Sequence, residues 1–167
     1  MEGVIRVLAV LGAARPTTTE YEAARRVGAL AAERGWAVLT GGGSGVMEAA
    51  SRGAAEAGGL TIGVLPGTEP AQDYPNQWVA LRIYTGLGSA RNVINALSGD
   101  LVLAIGGQAG TLSEVAHAVK AGREVWWLHP WRLTPPAGHP EPSIRRFTTE
   151  EALLEALGLR LGPRGAS

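Results

Sequence analysis

The stretch WAVLTGGGSGVMEAA, residues 36–50, decides how the rest of the chain is read. It begins as a short apolar run, passes through three consecutive glycines, and continues with apolar residues at helical spacing. A strand that turns through glycine straight into a helix is the repeating unit of a parallel sheet, because parallel neighbours need a crossover and a helix commonly supplies it. The glycines pose a second question: something approaches this turn so closely that side chains are excluded.

The same unit recurs on both sides. VIRVLAVLG (4–12) reads as a strand, and TEYEAARRVGALAAERG (19–35) as a helix stopped by Gly35. TIGVLP (61–66) is a third strand, followed by the turn-rich GTEPAQDYPNQ (67–77), expected to be a long exposed loop. WVALRIY (78–84), DLVLAIGG (100–107) and EVWWLH (124–129) continue the strands; SARNVINALSG (89–99) and TLSEVAHAVKAG (111–122) are the helices between them. After His129 the texture becomes proline-rich without usable periodicity, before a last helix, TTEEALLEALGL (148–159). The fold expected is α/β, a Rossmann-like open parallel sheet of about six to seven strands with helices on both faces. One domain over residues 1–167 is the economical reading, with a tail from about residue 160 expected to fray.

Composition narrows the function. Fifteen basic and fifteen acidic residues leave no net field to gather nucleic acid or an anionic membrane. The apolar run near the start is too short to span a bilayer and carries Arg6, so it reads as the first strand; a soluble, cytoplasmic protein is expected. The absence of cysteine removes disulfides, thiolate metal sites and a thiol nucleophile, and the three histidines show no metal-ligand spacing, so no metal site is expected. Lys120 is the only lysine. It excludes the phosphate loop that needs a lysine after its last glycine, and at a helix C-terminus it offsets the dipole rather than serving as a desolvated Schiff base.

Ligands of open parallel sheets sit beyond the carboxyl ends of the strands, where strand order reverses. Two glycine-rich turns fall at such ends: Gly41, Gly42, Gly43, Ser44 and Gly45 after one strand, and Gly107, Gln108, Gly110 and Thr111 after another. Each leads into a helix and so can offer free amides and a positive dipole end to a phosphate, although neither has dinucleotide-fingerprint spacing. Thr111 and Glu114 also have capping-box spacing, repeated at Thr19 with Glu22 and Thr148 with Glu151; on spacing alone Glu114 is a cap or a site carboxylate. Arg91, early on the helix before the second turn, is a solvated arginine or a site cation.

These residues carry a resemblance. Gly41, Gly42, Gly45 and Met47 match the GG-x-x-G-x-M element of the "Lonely guy" (LOG) family, once labelled lysine decarboxylases, and Gly110, Thr111 and Glu114 match the end of its P-G-G-x-G-T-x-x-E element. Arg91 lies where that family has its arginine, and the short chain with GVMEA and ARN looks more like the branch that includes molybdenum-cofactor carrier proteins. The resemblance implies a nucleotide-sized pocket and a homodimer or larger homo-oligomer. It implies either cleavage of the N-glycosidic bond of a nucleoside 5′-monophosphate, with Arg91 and Glu114 as the catalytic pair, or a non-catalytic carrier. No cofactor is required by it; the ligand it implies is a nucleotide, the molybdenum cofactor or another phosphorylated small molecule. The chain departs from the enzyme motif at Gly106, where the family has proline, and at Gln108, where it has glycine; a glutamine there either obstructs a phosphate or donates to it. Association is expected through the alanine- and glycine-rich faces of the helices at 45–59 and 111–122, with Trp126, Trp127 and Trp131 as aromatic area.

Overall fold

The computed structural model describes residues 4–73 and 75–164. Seven strands, β1 (Val7–Gly12), β2 (Ala37–Thr40), β3 (Thr61–Leu65), β4 (Leu81–Tyr84), β5 (Leu101–Ile105), β6 (Val125–Leu128) and β7 (Ile144–Phe147), form one parallel sheet in the order β4-β3-β2-β1-β5-β6-β7. The chain builds outward from β1 to β4, then returns to the other side of β1 with β5. Strand order therefore reverses between β1 and β5, and a crevice opens beyond their carboxyl ends.

Among the described residues there are six α-helices, α1 (Thr18–Glu33), α2 (Val46–Glu56), α3 (Pro70–Asp73), α4 (Arg91–Ser98), α5 (Ala109–Lys120) and α6 (Glu150–Leu161), and all but the short α3 cover the sheet. One face packs Leu8, Val10, Val38, Leu101 and Leu103 against Ala23, Val27 and Ala50 of α1 and α2 and Leu153 and Leu157 of α6. The other packs Ala9, Leu11, Leu39, Val102 and Ala104 against Ala96 of α4 and Val115 and Ala118 of α5. Burial on both faces explains why the central strands read as unbroken apolar runs, and each fully buried leucine there contributes about 1.5–3 kcal/mol.

Helices α1 and α2 approach through glycine. A Cβ on Gly28 would strike the Ala50 carbonyl, and one on Gly53 the Arg25 carbonyl. The small residues of α2 thus serve packing within the chain, and Trp126 and Trp127, 2% and 0% exposed, lie in its core. Of the surface expected to associate, these two parts are taken up within the chain, while Trp131, 41% exposed, stays at the surface.

Three local readings also change. The proline-rich segment holds a seventh strand, β7, hydrogen-bonded to β6, with Phe147 packed on Trp126 at 5.3 Å between ring centroids. The long loop after β3 contains the short α3. Helix α6 runs through Leu161, and Arg160, expected in the frayed tail, pairs with Glu124 at 2.7 Å; residues 165–167 of that tail lie outside the described residues. Among the described residues, no helix is long and apolar enough to cross a membrane.

Candidate functional site

A cavity of about 390 Å³ occupies the crevice between β1 and β5. Its walls come from the β1–α1 loop (Gly12, Ala13, Ala14, Arg15), from Met47 of α2, from Arg91 and Asn92 of α4, and from Gln108, Gly110, Thr111 and Glu114 at the start of α5. That size lies within the range of small-molecule sites.

The two glycine turns stand differently toward it. In the β2–α2 turn the space beside each glycine is filled by protein. A Cβ on Gly41 would meet the Arg91 guanidinium, on Gly42 the Leu65 side chain, on Gly43 the Met47 methyl, and on Gly45 the backbone of Ala13 and Ala14. Several of its polar groups are also partnered. The Gly42 amide donates to Thr40 Oγ1 at 3.0 Å, the Val46 amide to the Ala13 carbonyl at 2.9 Å, and Ser44 Oγ to the Ala14 carbonyl at 3.2 Å. Asn76 donates its amide N–H to the Gly42 carbonyl and its Nδ2 to the Gly43 carbonyl, each at 2.9 Å. The neighbour that excludes side chains here is the protein itself. Of this turn and the start of α2, Met47 borders the cavity, while Gly41, Gly42, Gly43, Ser44 and Gly45 do not.

The β5–α5 turn is the open one. Gly107 takes φ 102° and Thr111 stands where its Cβ would point, so both backbone and space require glycine there; its carbonyl accepts from Trp131 Nε1 at 2.9 Å, with that indole 41% exposed. Gln108 is the N-cap of α5 in extended geometry, and no side chain caps the helix. Gly110 has no neighbour within 4 Å of where a Cβ would stand. Gln108, Gly110 and Thr111 border the cavity, so uncapped first-turn amides and the positive dipole end meet it.

The helix begins two residues before Thr111, which settles the capping question. Thr111 and Glu114 lie inside α5, and neither caps it. The capping box of α1 is Thr17 with Glu20, and Thr149 caps α6, so the spacings at Thr19 and Thr148 mark residues just inside or before those helices rather than caps. Glu20 has a second role: its carboxylate occupies the space beside Gly106, which sits at φ 54°, a conformation closed to proline. The departure at Gly106 is thus built into the backbone.

Arg91 and Glu114 border the same cavity without pairing directly. Arg91 Nη1 donates to the carbonyls of Gly41 and Val64, each at 2.7 Å, tying α4 to the ends of β2 and β3. Its buried Nε has no partner among the described residues. Burial holds its guanidinium below the ordinary arginine range, with the charges of Glu114 and Asp73 opposing. Glu114, 9% exposed, accepts from Asn95 Nδ2 at 3.1 Å. Burial pushes its carboxyl above the usual carboxylate range, while the Asn95 bond and the Arg91 charge act the other way. Among the described residues no three His, Cys, Asp or Glu side chains gather as a metal-holding group.

Residues 12–15, Asn76, Asn92 and Asn95 were not legible as site residues. Only the strand order brings the β1–α1 loop to the crevice, and asparagines on loops and helices carry no motif. The one available signal was Arg15, a cation between a strand end and the proline that precedes a helix.

Comparison with known proteins agrees with this architecture. The model of the SLOG cluster4 family matches residues 5–155. The molybdenum cofactor binding protein from Rippkaea orientalis is 37% identical, with TM-score 0.72 over 98% of this chain and 91% of that one. The Moco carrier protein from Chlamydomonas reinhardtii is 36% identical, with TM-score 0.77 over 95% of this chain and 98% of that one. An uncharacterized protein of Archaeoglobus fulgidus is 42% identical over 123 residues, 74% of this chain and 80% of the relative. The molecule is a Rossmann-like α/β protein with its cavity at the topological switch point. It belongs to the SLOG cluster4 family, and the LOG-like resemblance of its sequence is borne out.

Proposed function

We propose that the protein binds a phosphorylated small molecule at the β1/β5 crevice and holds it without consuming it, a pterin of the molybdenum-cofactor type being the first ligand to test. One observation carries this reading: the uncapped start of α5 and the cation of Arg15 border a single cavity. Amides at a helix N-terminus with a nearby arginine suit a phosphate monoester. Gly110 and Thr111 would hold the phosphate with Arg15, Gln108 would donate from its side, and Met47 would pack against the ring. Relatives at 36–37% identity over nearly the whole chain, named as molybdenum-cofactor binding or carrier proteins, support the choice. The test is mass spectrometry of what the purified protein releases on denaturation, followed by titration with molybdenum cofactor and with AMP. A phosphorylated ligand released intact is the expected result. A protein that binds neither overturns the proposal.

A second reading, hydrolysis of a nucleoside 5′-monophosphate to base and ribose 5-phosphate, is favoured by the presence of Glu114 and Arg91 on the same cavity. Glu114 would stabilise a cationic ribosyl centre or activate water, and Arg91 would help hold it ionised. Release of free base from AMP, lost in Glu114→Ala, would replace the carrier reading with this one. In either case the protein is proposed to be cytoplasmic and at least a homodimer. The surface proposed for association is the α4–α5 side of the sheet, where Leu81, Ile83 and Leu97 are 49%, 43% and 39% exposed. A strictly monomeric mass in light scattering would remove that part.

A further inference from the structure

We infer that Asn95 is a positioning residue, whose side-chain amide fixes Oε1 of Glu114 so that Oε2 is left to accept from a hydroxyl or amino group of the bound ligand. The inference rests on the reading of Glu114 as the carboxylate that meets the ligand.

Asn95 lies four residues after Arg91 on α4, one helical turn along the same face, and α4 packs against α5. It is fully buried, and its Nδ2 donates to Glu114 Oε1 at 3.1 Å. Its Oδ1 has no partner among the described residues. A buried amide with half of its capacity unmet is poorer core material than a leucine of similar size, because the unmet acceptor has lost water and gained nothing. Packing between α4 and α5 therefore does not explain an asparagine here. Its bond to the carboxylate does. A glutamate has three side-chain torsions, and a donor fixed on the neighbouring helix restricts both the direction and the rotation of its carboxyl group. Oε2 has no protein hydrogen-bond partner among the described residues, and Glu114 borders the cavity.

The other charged groups around Glu114 are Arg91 from α4, Arg15 from the β1–α1 loop and Asp73 beyond Arg91; none of them bonds the carboxylate. Among the described residues, Asn95 alone donates a hydrogen bond to it. Glu114 lies three residues after Thr111 on α5, about 4.5 Å of helix rise, and both border the same cavity as the uncapped helix start. That separation suits a ligand whose phosphate is followed closely by a hydroxyl or amino donor.

The experiment follows the Glu114 carboxyl by carbon-13 NMR across a pH titration, assigned with Glu114→Gln. Asn95→Leu is expected to raise its midpoint by about one pH unit or more, since a bond to the ionised form is lost. It is also expected to weaken AMP binding at pH 7 by roughly tenfold. Ala96→Gly, which loosens the same helix without touching Glu114, should leave the midpoint in place. In the unmutated protein the Asn95 side-chain amide protons should shift with the Glu114 midpoint, so the result does not depend on a variant that folds. A midpoint unmoved in Asn95→Leu, or Asn95 amide signals indifferent to the titration, overturns the inference. If neither AMP nor molybdenum cofactor binds to any form, the proposed function fails while the midpoint still decides the role of Asn95.

Discussion

The β2–α2 and β5–α5 turns look alike in sequence, both running from an apolar strand through glycines into a helix, yet they stand differently toward the cavity. Protein atoms stand where a Cβ would go at Gly41, Gly42, Gly43 and Gly45, and the carbonyls of Gly41, Gly42 and Gly43 accept from Arg91 and Asn76. Around Gln108–Thr111 the helix start is uncapped and faces a cavity. The glycines of the first turn let other parts of the protein come close; the open side of the second leaves room for something else. Glycine richness alone does not tell the two apart, because it reports close approach and not who approaches.

The largest effect that would test this contrast is at Gly45, which sits at φ 69° and ψ −126° against the backbone of Ala13 and Ala14. Gly45→Ala is expected to cost roughly 2–4 kcal/mol in urea unfolding, because neither the backbone neighbour nor the conformation can give. A near-neutral result would mean that the first turn is loose. Next comes Arg91→Ala, which strips the donor from the Gly41 and Val64 carbonyls and should destabilise by about 2–3 kcal/mol. Arg91→Lys should recover only part of it, since one ammonium lacks the planar fork.

A smaller effect separates the open side. Burial raises the Glu114 carboxyl above its unfolded value, so the folded state binds its proton more tightly. Stability from this group is therefore present at low pH and lost as pH rises from the unfolded value through the raised one. Glu114→Gln should accordingly melt higher than the natural protein at pH 7, by about 2–4 °C, with the gap closing in acid. A gap that widens in acid would reverse the sign of the burial argument. Smallest is Gly110→Ala, placed in open space on a helix. It should stabilise by about 0.5–1 kcal/mol while weakening binding of a phosphorylated ligand, because the added methyl enters the cavity. If binding is unchanged, the anion sits elsewhere.

Much of the fold was legible because strands buried on both faces announce themselves as apolar runs, and Gly35 ended α1 as its composition predicted. Strand β7 escaped notice because Ile144–Phe147 follows a run of prolines and carries two arginines, as an edge strand with one exposed side will. Of the cavity's walls, Arg91, Gln108, Gly110, Thr111 and Glu114 stood out through the glycine turn and the family resemblance, since spacing alone left Glu114 between a cap and a site carboxylate. The capping reading of Thr111 failed because helix α5 starts earlier than its first threonine, at a glutamine that caps nothing. Arg15 and Asn95 reach the cavity region only through strand order and helix phase, which one sequence does not display.

Trp131 gives the open turn an optical reporter. Three of the other tryptophans, Trp36, Trp126 and Trp127, are buried, and Trp78 lies beneath the Arg52 guanidinium. While the buried Trp127 is bonded to the Gly106 carbonyl, Trp131, the partly exposed one, is bonded to the neighbouring Gly107 carbonyl in the turn that leads into α5. Its emission is therefore wired to that peptide, and a ligand that draws the following amides toward itself would be read as a change in brightness or colour, with no dye attached to the protein.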